Sequence, residues 1–150
     1  MKRSLIAAGM VCVGLGAATA EPIAPADVQI EDMMVSASLT GVPGDPANGR
    51  KVFANRKKGN CLACHANADL SEMLFHGEIG PPLDGVADRY EEPQLRALLV
   101  NSKAVFEDTI MPAFYVDSST LRRVMPKFQG KTILTAQEVE DVLAYLLTLK

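Results

Sequence analysis

The stretch Cys61-Leu62-Ala63-Cys64-His65 decides the fold of this chain. Two cysteines separated by two residues and followed at once by a histidine form the pattern in which each thiol bonds one vinyl group of a haem. The adjacent imidazole is then placed to bind the haem iron axially. The motif occurs once, so Cys61 and Cys64 are predicted to attach one covalent haem c, with His65 as one iron ligand.

The first twenty residues have the features of a secretory signal peptide. Lysine and arginine at positions 2 and 3 precede an uncharged stretch from Ser4 to Ala17, and Ala18-Thr19-Ala20 supplies small residues for cleavage. The stretch is shorter, and richer in Gly and Ala, than the roughly 20 strongly apolar residues of a membrane span. We expect residues 1–20 to be removed after Ala20, together with Cys12, and the rest of the chain to reach the periplasm.

Composition excludes several other classes of function. With 150 residues, 48% of them apolar, the chain is long enough for one small domain. Fifteen basic against eighteen acidic residues give a net charge of −3, which argues against nucleic acid as the main partner. Signatures of phosphate loops, dinucleotide-binding folds and zinc proteases are absent from the sequence.

Two other interpretations of the cysteine motif fit less well. A zinc site usually needs four Cys or His ligands, whereas His76 is the one histidine outside the motif and no cysteine follows Cys64. A thioredoxin-like redox pair belongs to a βαβ unit, and no alternating strand pattern precedes Cys61. Covalent haem attachment is therefore the interpretation that the motif favours.

A first helix is predicted just before the motif. Asp45 is a good N-cap residue and Pro46 suits the first helical position. The helix is expected to end near Lys58-Gly59, and its shared face carries Gly49, Val52 and Phe53.

Two more helices are predicted after the motif, and no segment reads as a convincing strand. The last helix begins with the capping box Thr135-Ala136-Gln137-Glu138. Its buried face is expected to carry Val139, Val142, Leu143, Leu146 and Leu147. Another helix follows the entry Glu91-Glu92-Pro93, where Leu95, Leu98 and Leu99 mark one face.

This order of segments resembles the class I cytochromes c. The resemblance implies an all-α fold in which short helices wrap around one covalent haem and the first and last helices cross. At that crossing Gly49 would face the last helix and Phe53 would pack near Tyr145. Without the family, Gly49 is as well explained as an ordinary residue of the first helical turn.

The same resemblance gives Pro81 a role. Gly80-Pro81-Pro82-Leu83 is similar to the proximal segment of these cytochromes, in which a proline carbonyl accepts the N–H of the ligating histidine. Such an acceptor fixes the tautomer and strengthens the imidazole as a ligand. Taken alone, the Gly-Pro-Pro sequence indicates only a turn.

Four side chains are candidates for the second axial ligand: Met73, His76, Met111 and Met125. Met73 and His76 lie between His65 and the proximal proline, so they are expected on the same side of the haem as His65. A lone histidine is also more often a surface or hydrogen-bonded residue. Met111 and Met125 each precede a proline in the segment that must cross the other face, and spacing does not choose between them.

The surroundings of the two methionines favour Met111. The run from Ile110 to Tyr115 is apolar, whereas the neighbours of Met125 include Arg122, Arg123 and Lys127. An apolar lining suits a haem pocket better than a charged one, so Met111 is the predicted ligand. Met125 stays the alternative, or else a core residue.

Three further stretches resemble the SoxX family, the small monohaem cytochrome subunits of the thiosulfate-oxidising Sox system. They are Met111 to Tyr115 (MPAFY), Gly80 to Tyr90 (GPPLDGVADRY) and Gly130 to Leu149 (GKTILTAQEVEDVLAYLLTL), and the resemblance covers about two thirds of the chain. In that family the ligand methionine lies in a Met-Pro-x-Phe-Tyr stretch. The resemblance therefore also implies Met111 as the ligand.

The resemblance implies an electron-accepting subunit in a heterodimeric SoxAX complex. There a larger haem-containing SoxA-type subunit would carry out the substrate chemistry, the oxidative conjugation of thiosulfate to a carrier-protein cysteine (L-cysteine S-thiosulfotransferase). This chain would have no catalytic residue of its own and would pass electrons to an acceptor such as another cytochrome. The alternative is a free cytochrome c electron carrier; a haem sensor or peroxidase would need an open axial position.

Two other regions allow more than one interpretation. Residues 21–44 contain prolines without a helical period, so we expect an extended N-terminal arm outside a cytochrome c domain of residues 45–150. The arm either lies along a partner or is disordered. A basic cluster before the motif either orients a partner or is a solvated helix face; it consists of Arg50, Lys51, Arg56, Lys57 and Lys58.

Overall fold

A computed structural model describes residues 21–150 as helices joined by irregular segments. The α-helices are α1 (Pro46–Ala54), α2 (Val86–Arg89), α3 (Glu92–Val105) and α4 (Ala136–Leu146). Single 3-10 turns lie at Pro25–Asp27, Cys61–Ala63, Ala68–Leu70, Ser118–Thr120 and Pro126–Phe128. In this part of the chain the only β pairing is an isolated bridge between Glu31 and Met34. The predicted all-α class is confirmed.

The predicted signal peptide and Cys12 lie outside the described residues. None of the helices within residues 21–150 is long and apolar enough to cross a bilayer.

Helices α1 and α4 cross with their backbones in direct contact. A Cβ atom on Gly49 would lie 1.9 Å from the carbonyl oxygen of Asp141 and 2.9 Å from the Cβ of Tyr145. Because only a hydrogen atom fits there, glycine is required for this crossing. The rings of Phe53 and Tyr145 meet edge to face with centroids 5.5 Å apart. Both contacts that the cytochrome resemblance implied are confirmed.

A buried carboxylate on α4 caps the start of α1. Asp141 accepts hydrogen bonds from the backbone N–H of Asp45 at 2.9 Å and from the side-chain amide of Asn48 at 2.7 Å. Gln137, one turn earlier on α4, also donates to it at 2.9 Å. A negative charge at a helix N-terminus interacts favourably with the helix dipole. The crossing is therefore held by polar contacts as well as by close packing.

Helix α1 ends at Ala54, and the expected continuation to Lys58-Gly59 is wrong. Asn55 adopts an extended backbone, and its side chain accepts the N–H of Lys57 at 2.8 Å. Its carbonyl accepts the N–H groups of Lys58 and Asn60. Asparagine often replaces helical hydrogen bonds with local ones of this kind, so the chain turns here towards the haem motif.

The arm of residues 21–44 packs against the helices. It has one 3-10 turn and is otherwise irregular, as its prolines predict. Val35 and Leu39, however, are buried in the core, and the hydroxyl of Tyr115 donates a 2.7 Å hydrogen bond to the carbonyl of Ile23. The expectation that the arm lies outside the haem domain is wrong in this respect, because two of its apolar side chains complete that core.

A buried ion pair between α3 and α4 holds the backbone of the arm. Arg96 Nε lies 3.0 Å from Glu140 Oε1, and both side chains are 5% exposed. Glu140 also accepts the N–H of Leu39 at 2.8 Å, and Arg96 donates to the carbonyl of Val35 at 3.0 Å. Removing one member of a buried pair costs about 3–5 kcal/mol, so the arm and the pair depend on each other.

Gly49→Ala should destabilise the protein although alanine is the better helix former by about 1 kcal/mol. The added methyl group overlaps the Asp141 carbonyl, so α1 and α4 must separate, with an expected loss of about 1–3 kcal/mol. Chemical denaturation of the haem-loaded protein measures the effect. Lys51→Ala, on the exposed side of the same helix, is the control and should change stability by less than about 0.5 kcal/mol. Unchanged stability in Gly49→Ala would contradict the close crossing.

Candidate haem site

The haem motif forms a tight turn that begins with the 3-10 turn Cys61–Ala63, the next helical element after α1. The backbone N–H groups of Cys64 and His65 both donate to the carbonyl of Cys61, at 3.0 and 2.9 Å. Asn60, with a φ of +51°, reverses the chain ahead of the turn. Both thiols are free, and burial raises the pKa of the Cys61 thiol to about 12. The turn therefore presents two thiol groups and an imidazole within five residues.

The imidazole of His65 is held by the segment that begins at Gly80. Its Nδ1 lies 2.7 Å from the carbonyl oxygen of Pro81, to which it donates. A Cβ atom on Gly80 would lie 2.4 to 2.8 Å from three atoms of the ring. The ring is thus packed flat against a residue without a side chain. The contact between His65 and Pro81 that the resemblance implied is present.

This arrangement fits a covalent haem c. With its proton on Nδ1, the neutral imidazole keeps the lone pair of Nε2 for a metal ion. Within residues 21–150 that nitrogen makes no hydrogen bond. Two free thiols at the attachment spacing lie on the same turn. The donor set is the one that a thioether-linked haem with a histidine ligand requires.

His76 is used as a structural residue. Its Nδ1 accepts the backbone N–H of Asn67 at 3.3 Å, and its Nε2 donates to the carbonyl of Leu70 at 3.1 Å. Both ring nitrogens are therefore engaged with the backbone. This agrees with the hydrogen-bonded alternative for a lone histidine and not with a role as iron ligand.

A polar network ties the chain after His65 to α4. The side-chain amide of Asn67, a buried residue, donates to the Tyr145 hydroxyl at 2.9 Å. That hydroxyl donates in turn to Asp69 at 2.7 Å. Burial, followed by the contact with Asp69, raises the pKa of Tyr145. Asn67 and Asp69 were not predicted, because nothing in the local sequence marks them as more than polar loop residues.

The same network reaches α1 through an arginine. Arg50 Nε lies 2.7 Å from the Asp69 carboxylate, and another nitrogen of the guanidinium contacts Glu72 at 2.8 Å. The Tyr145 hydroxyl, and then Arg50, lower the pKa of Asp69. Both terminal helices therefore fix the segment that leaves the haem motif.

The backbone of Met111 is fixed by the end of α3. Its carbonyl accepts a 2.7 Å hydrogen bond from the hydroxyl of Ser102, which is fully buried, and a further one from the ammonium of Lys103. Its N–H donates to Thr109 at 3.2 Å. Burial lowers the pKa of Lys103. Ser102 and Lys103 were not predicted, because serine and lysine within a helix carry no signal of this role.

A break in α3 makes this attachment possible. Asn101 has a non-helical backbone, and its side chain accepts the N–H of Lys103. The carbonyls of Leu99 and Val100 are consequently free to accept the N–H groups of Phe114 and Tyr115, at 3.2 and 3.1 Å. The Met-Pro-Ala-Phe-Tyr segment is thus bonded along its length to the broken turn of α3.

Met125 has a different setting. It precedes the 3-10 turn Pro126–Phe128, and its carbonyl accepts the N–H of Phe128 at 2.8 Å, within that turn. Met111, by contrast, is anchored to a long helix of the core. The structure brings Cys61, Cys64, His65 and Pro81 together, and Met111 lies on a separate segment.

Gly80→Ala should displace the imidazole ring of His65. The new methyl group would overlap the His65 ring, which must then tilt away from the Pro81 carbonyl. We expect a clearly lower yield of haem-loaded protein and an altered low-spin absorption spectrum, measured on protein matured in the same cells as wild type. Pro82→Ala, at the next-but-one position and exposed, is the control and should behave like wild type. A normal spectrum in Gly80→Ala would contradict this packing.

Comparisons with known proteins agree with these observations. A profile of the cytochrome c family matches residues 46–150. A chain from the crystal structure of SoxXA from P. pantotrophus is 44% identical, with a TM-score of 0.79. The match covers 86% of this chain and 98% of that chain.

Two more distant proteins also resemble this chain. The c-type cytochrome SorU from Sinorhizobium meliloti is 27% identical, with a TM-score of 0.46, over 69% of this chain and 88% of that chain. An uncharacterized lipoprotein of Aquifex aeolicus (strain VF5) is 33% identical over 90 residues, which is 60% of this chain. That match spans 36% of the lipoprotein, about a third of its length.

Proposed function

Because this chain belongs to the cytochrome c family, within its SoxX group, we propose that it is the small electron-transfer subunit of a periplasmic SoxAX complex. The family carries a covalently bound haem c. The observation that supports the proposal most is the match to a SoxXA chain, at 44% identity over nearly the whole length of that chain. In this role the protein accepts the electrons released when thiosulfate is conjugated to a carrier-protein cysteine.

The haem would be held by the motif and the proximal segment. Cys61 and Cys64 would form the two thioether bonds, and His65 would bind the iron through Nε2. Pro81 keeps the imidazole in the required tautomer through the 2.7 Å hydrogen bond to Nδ1. When bound, the haem supplies one-electron exchange between ferric and ferrous iron.

Met111 would be the second axial ligand. Two observations support this assignment. The hydroxyl of Ser102 anchors the backbone of Met111, and the segment around Met111 is apolar. A thioether opposite an imidazole raises the reduction potential relative to two nitrogen ligands, which suits an electron acceptor. If His65 and Met111 both bound the iron, the haem would serve electron transfer and would not bind substrate.

The sulfur chemistry is assigned to the larger, SoxA-type subunit. After residue 20 the chain has two cysteines, and both are used to attach the haem. No thiol of this part of the chain is then free to carry a sulfane or thiosulfonate group. The contribution of this subunit is to take up electrons from its partner and pass them to an acceptor such as another cytochrome.

Met111→Ala should open an axial position, whereas Met125→Ala should not. In the Met111 variant we expect loss of the far-red iron–thioether charge-transfer band of the ferric protein. We also expect rapid, stoichiometric binding of carbon monoxide in the ferrous state, which wild type and Met125→Ala lack. The reverse pattern would make Met125 the ligand. Unchanged spectra in both variants would remove both methionines from consideration.

Isolation of the protein from the periplasm of thiosulfate-grown cells tests the proposed complex. We expect a tagged, haem-loaded chain to retain a larger haem protein in equal amount under non-denaturing conditions, as shown by mass identification and a haem stain. Thiosulfate should reduce the haem only when the carrier protein is added. An unrelated tagged periplasmic protein is the control. Recovery of the cytochrome alone, fully redox-active, would instead support a free electron carrier.

A further inference from the structure

An exposed apolar loop lies directly after the haem motif. We use this name for residues 73–79, Met-Leu-Phe-His-Gly-Glu-Ile. Leu74, Phe75 and Ile79 are 75%, 84% and 69% exposed. Single exposed apolar side chains are common, but contiguous ones on a soluble protein indicate a surface that binds something.

The apolar loop is held in one conformation by hydrogen bonds. The imidazole of His76 bridges the backbone of Asn67 and Leu70. The N–H of Gly77 donates to the carbonyl of Leu62 at 2.7 Å, and the N–H of Gly80 donates to that of Cys64 at 2.7 Å. The apolar side chains therefore project from a fixed backbone, which lowers the entropy cost of binding.

Phe75 has a strained backbone that no hydrogen bond of its own within residues 21–150 explains. Its φ is +65°, a left-handed conformation that costs a residue other than glycine roughly 1–2 kcal/mol. It is also the most exposed large apolar side chain of the described residues. Backbone strain of this kind is often found at binding sites. Here it would be explained if the exposed ring packs against another molecule.

The position of the apolar loop links it to electron transfer. The loop backbone lies against the haem-attachment turn, where a Cβ atom on Gly77 would come within 2.0 Å of the Ala63 carbonyl oxygen. A protein that covers the loop therefore also comes against the turn that carries Cys61 and Cys64.

The charges on and near the apolar loop indicate which kind of partner surface would fit it. No lysine or arginine occurs between Lys58 and Arg89, and the loop itself contains Glu78. The nearby acidic groups Asp69 and Glu72 are paired with Arg50, whereas Glu78 forms no ion pair within the part of the chain that the structure describes. A partner surface that complements the apolar loop would have an apolar recess for the exposed side chains and a lysine or arginine opposite Glu78.

We propose that the apolar loop is the docking surface for the larger haem-bearing subunit, with the Phe75 ring as its central anchor and Glu78 at the rim. This inference rests on the proposed function, since it specifies how that complex is held. Aromatic side chains at the centre of an interface commonly contribute most of its binding energy.

Phe75→Asn tests the proposal. Asparagine tolerates the left-handed backbone, so the variant removes the ring while keeping the loop conformation. Met33→Asn is a matched control, because Met33 in the arm is also an exposed apolar residue with positive φ. The measurement is the dissociation constant between the haem-loaded chain and the purified larger subunit, with the haem spectrum and thermal stability recorded alongside.

We expect Phe75→Asn to weaken binding at least about tenfold, as for a central aromatic anchor, while Met33→Asn binds like wild type. Equal binding by wild type and Phe75→Asn overturns the docking surface but leaves the proposed complex standing, and so does equal weakening in both variants. Failure of wild type to bind any larger haem subunit overturns the proposed function itself.

Three further variants keep the test decisive. If Phe75→Asn loses the native haem spectrum, Leu74→Ser and Ile79→Ser replace it, since both side chains are exposed and neither has a positive φ. Glu78→Lys should also weaken binding, more strongly at low salt than at high salt because rim charges are screened. Wild-type affinity in all of these variants would contradict the proposal.

Discussion

The close crossing of α1 and α4 at Gly49 is the contact on which the rest of the structure depends. It brings the two backbones so near that a single methyl group would not fit. As a result Arg50 on α1 and Tyr145 on α4 lie on the same side, and both reach Asp69. The chain that leaves the haem motif is therefore positioned by two helices that are far apart in sequence. If the helices separated, the network that holds the chain after His65 would lose both of its supports.

The segment proposed to carry the other ligand is held by an independent element. Helix α3 breaks at Asn101, and the carbonyls released by the break bind the segment that follows Met111. Helical hydrogen bonds are exchanged for bonds to that segment, so few polar groups are left unpaired. The two proposed iron ligands, His65 and Met111, are thus held by different helices. Ligands held in this way need little rearrangement when the iron changes charge, which suits electron transfer.

The sequence predicted those parts of the structure that depend on short-range spacing. The haem motif, the start of α1, the capping box of α4 and the contact of His65 with Pro81 all follow from a few adjacent residues or from a family pattern built on them. The arm was misjudged because burial of Val35 and Leu39 shows no period, and because their backbone partners lie on remote helices. The end of α1 was misplaced for a different reason: Asn55 forms local hydrogen bonds that a helical pattern does not reveal.

The two candidate surfaces beside the haem motif differ in the kind of complex that they suit. In the basic cluster Arg50 is paired with Asp69 and Glu72, and Lys58 with Glu138, so part of its charge is already used within the chain. Exposed charges accelerate encounter but hold partners weakly at physiological salt. A rigid apolar surface does little to accelerate encounter but holds the partner longer, because buried apolar area slows dissociation. A shuttling carrier needs fast release, whereas a permanent subunit needs long residence. The exposed ring of Phe75 on a fixed backbone therefore suits the proposed subunit better than a free shuttle.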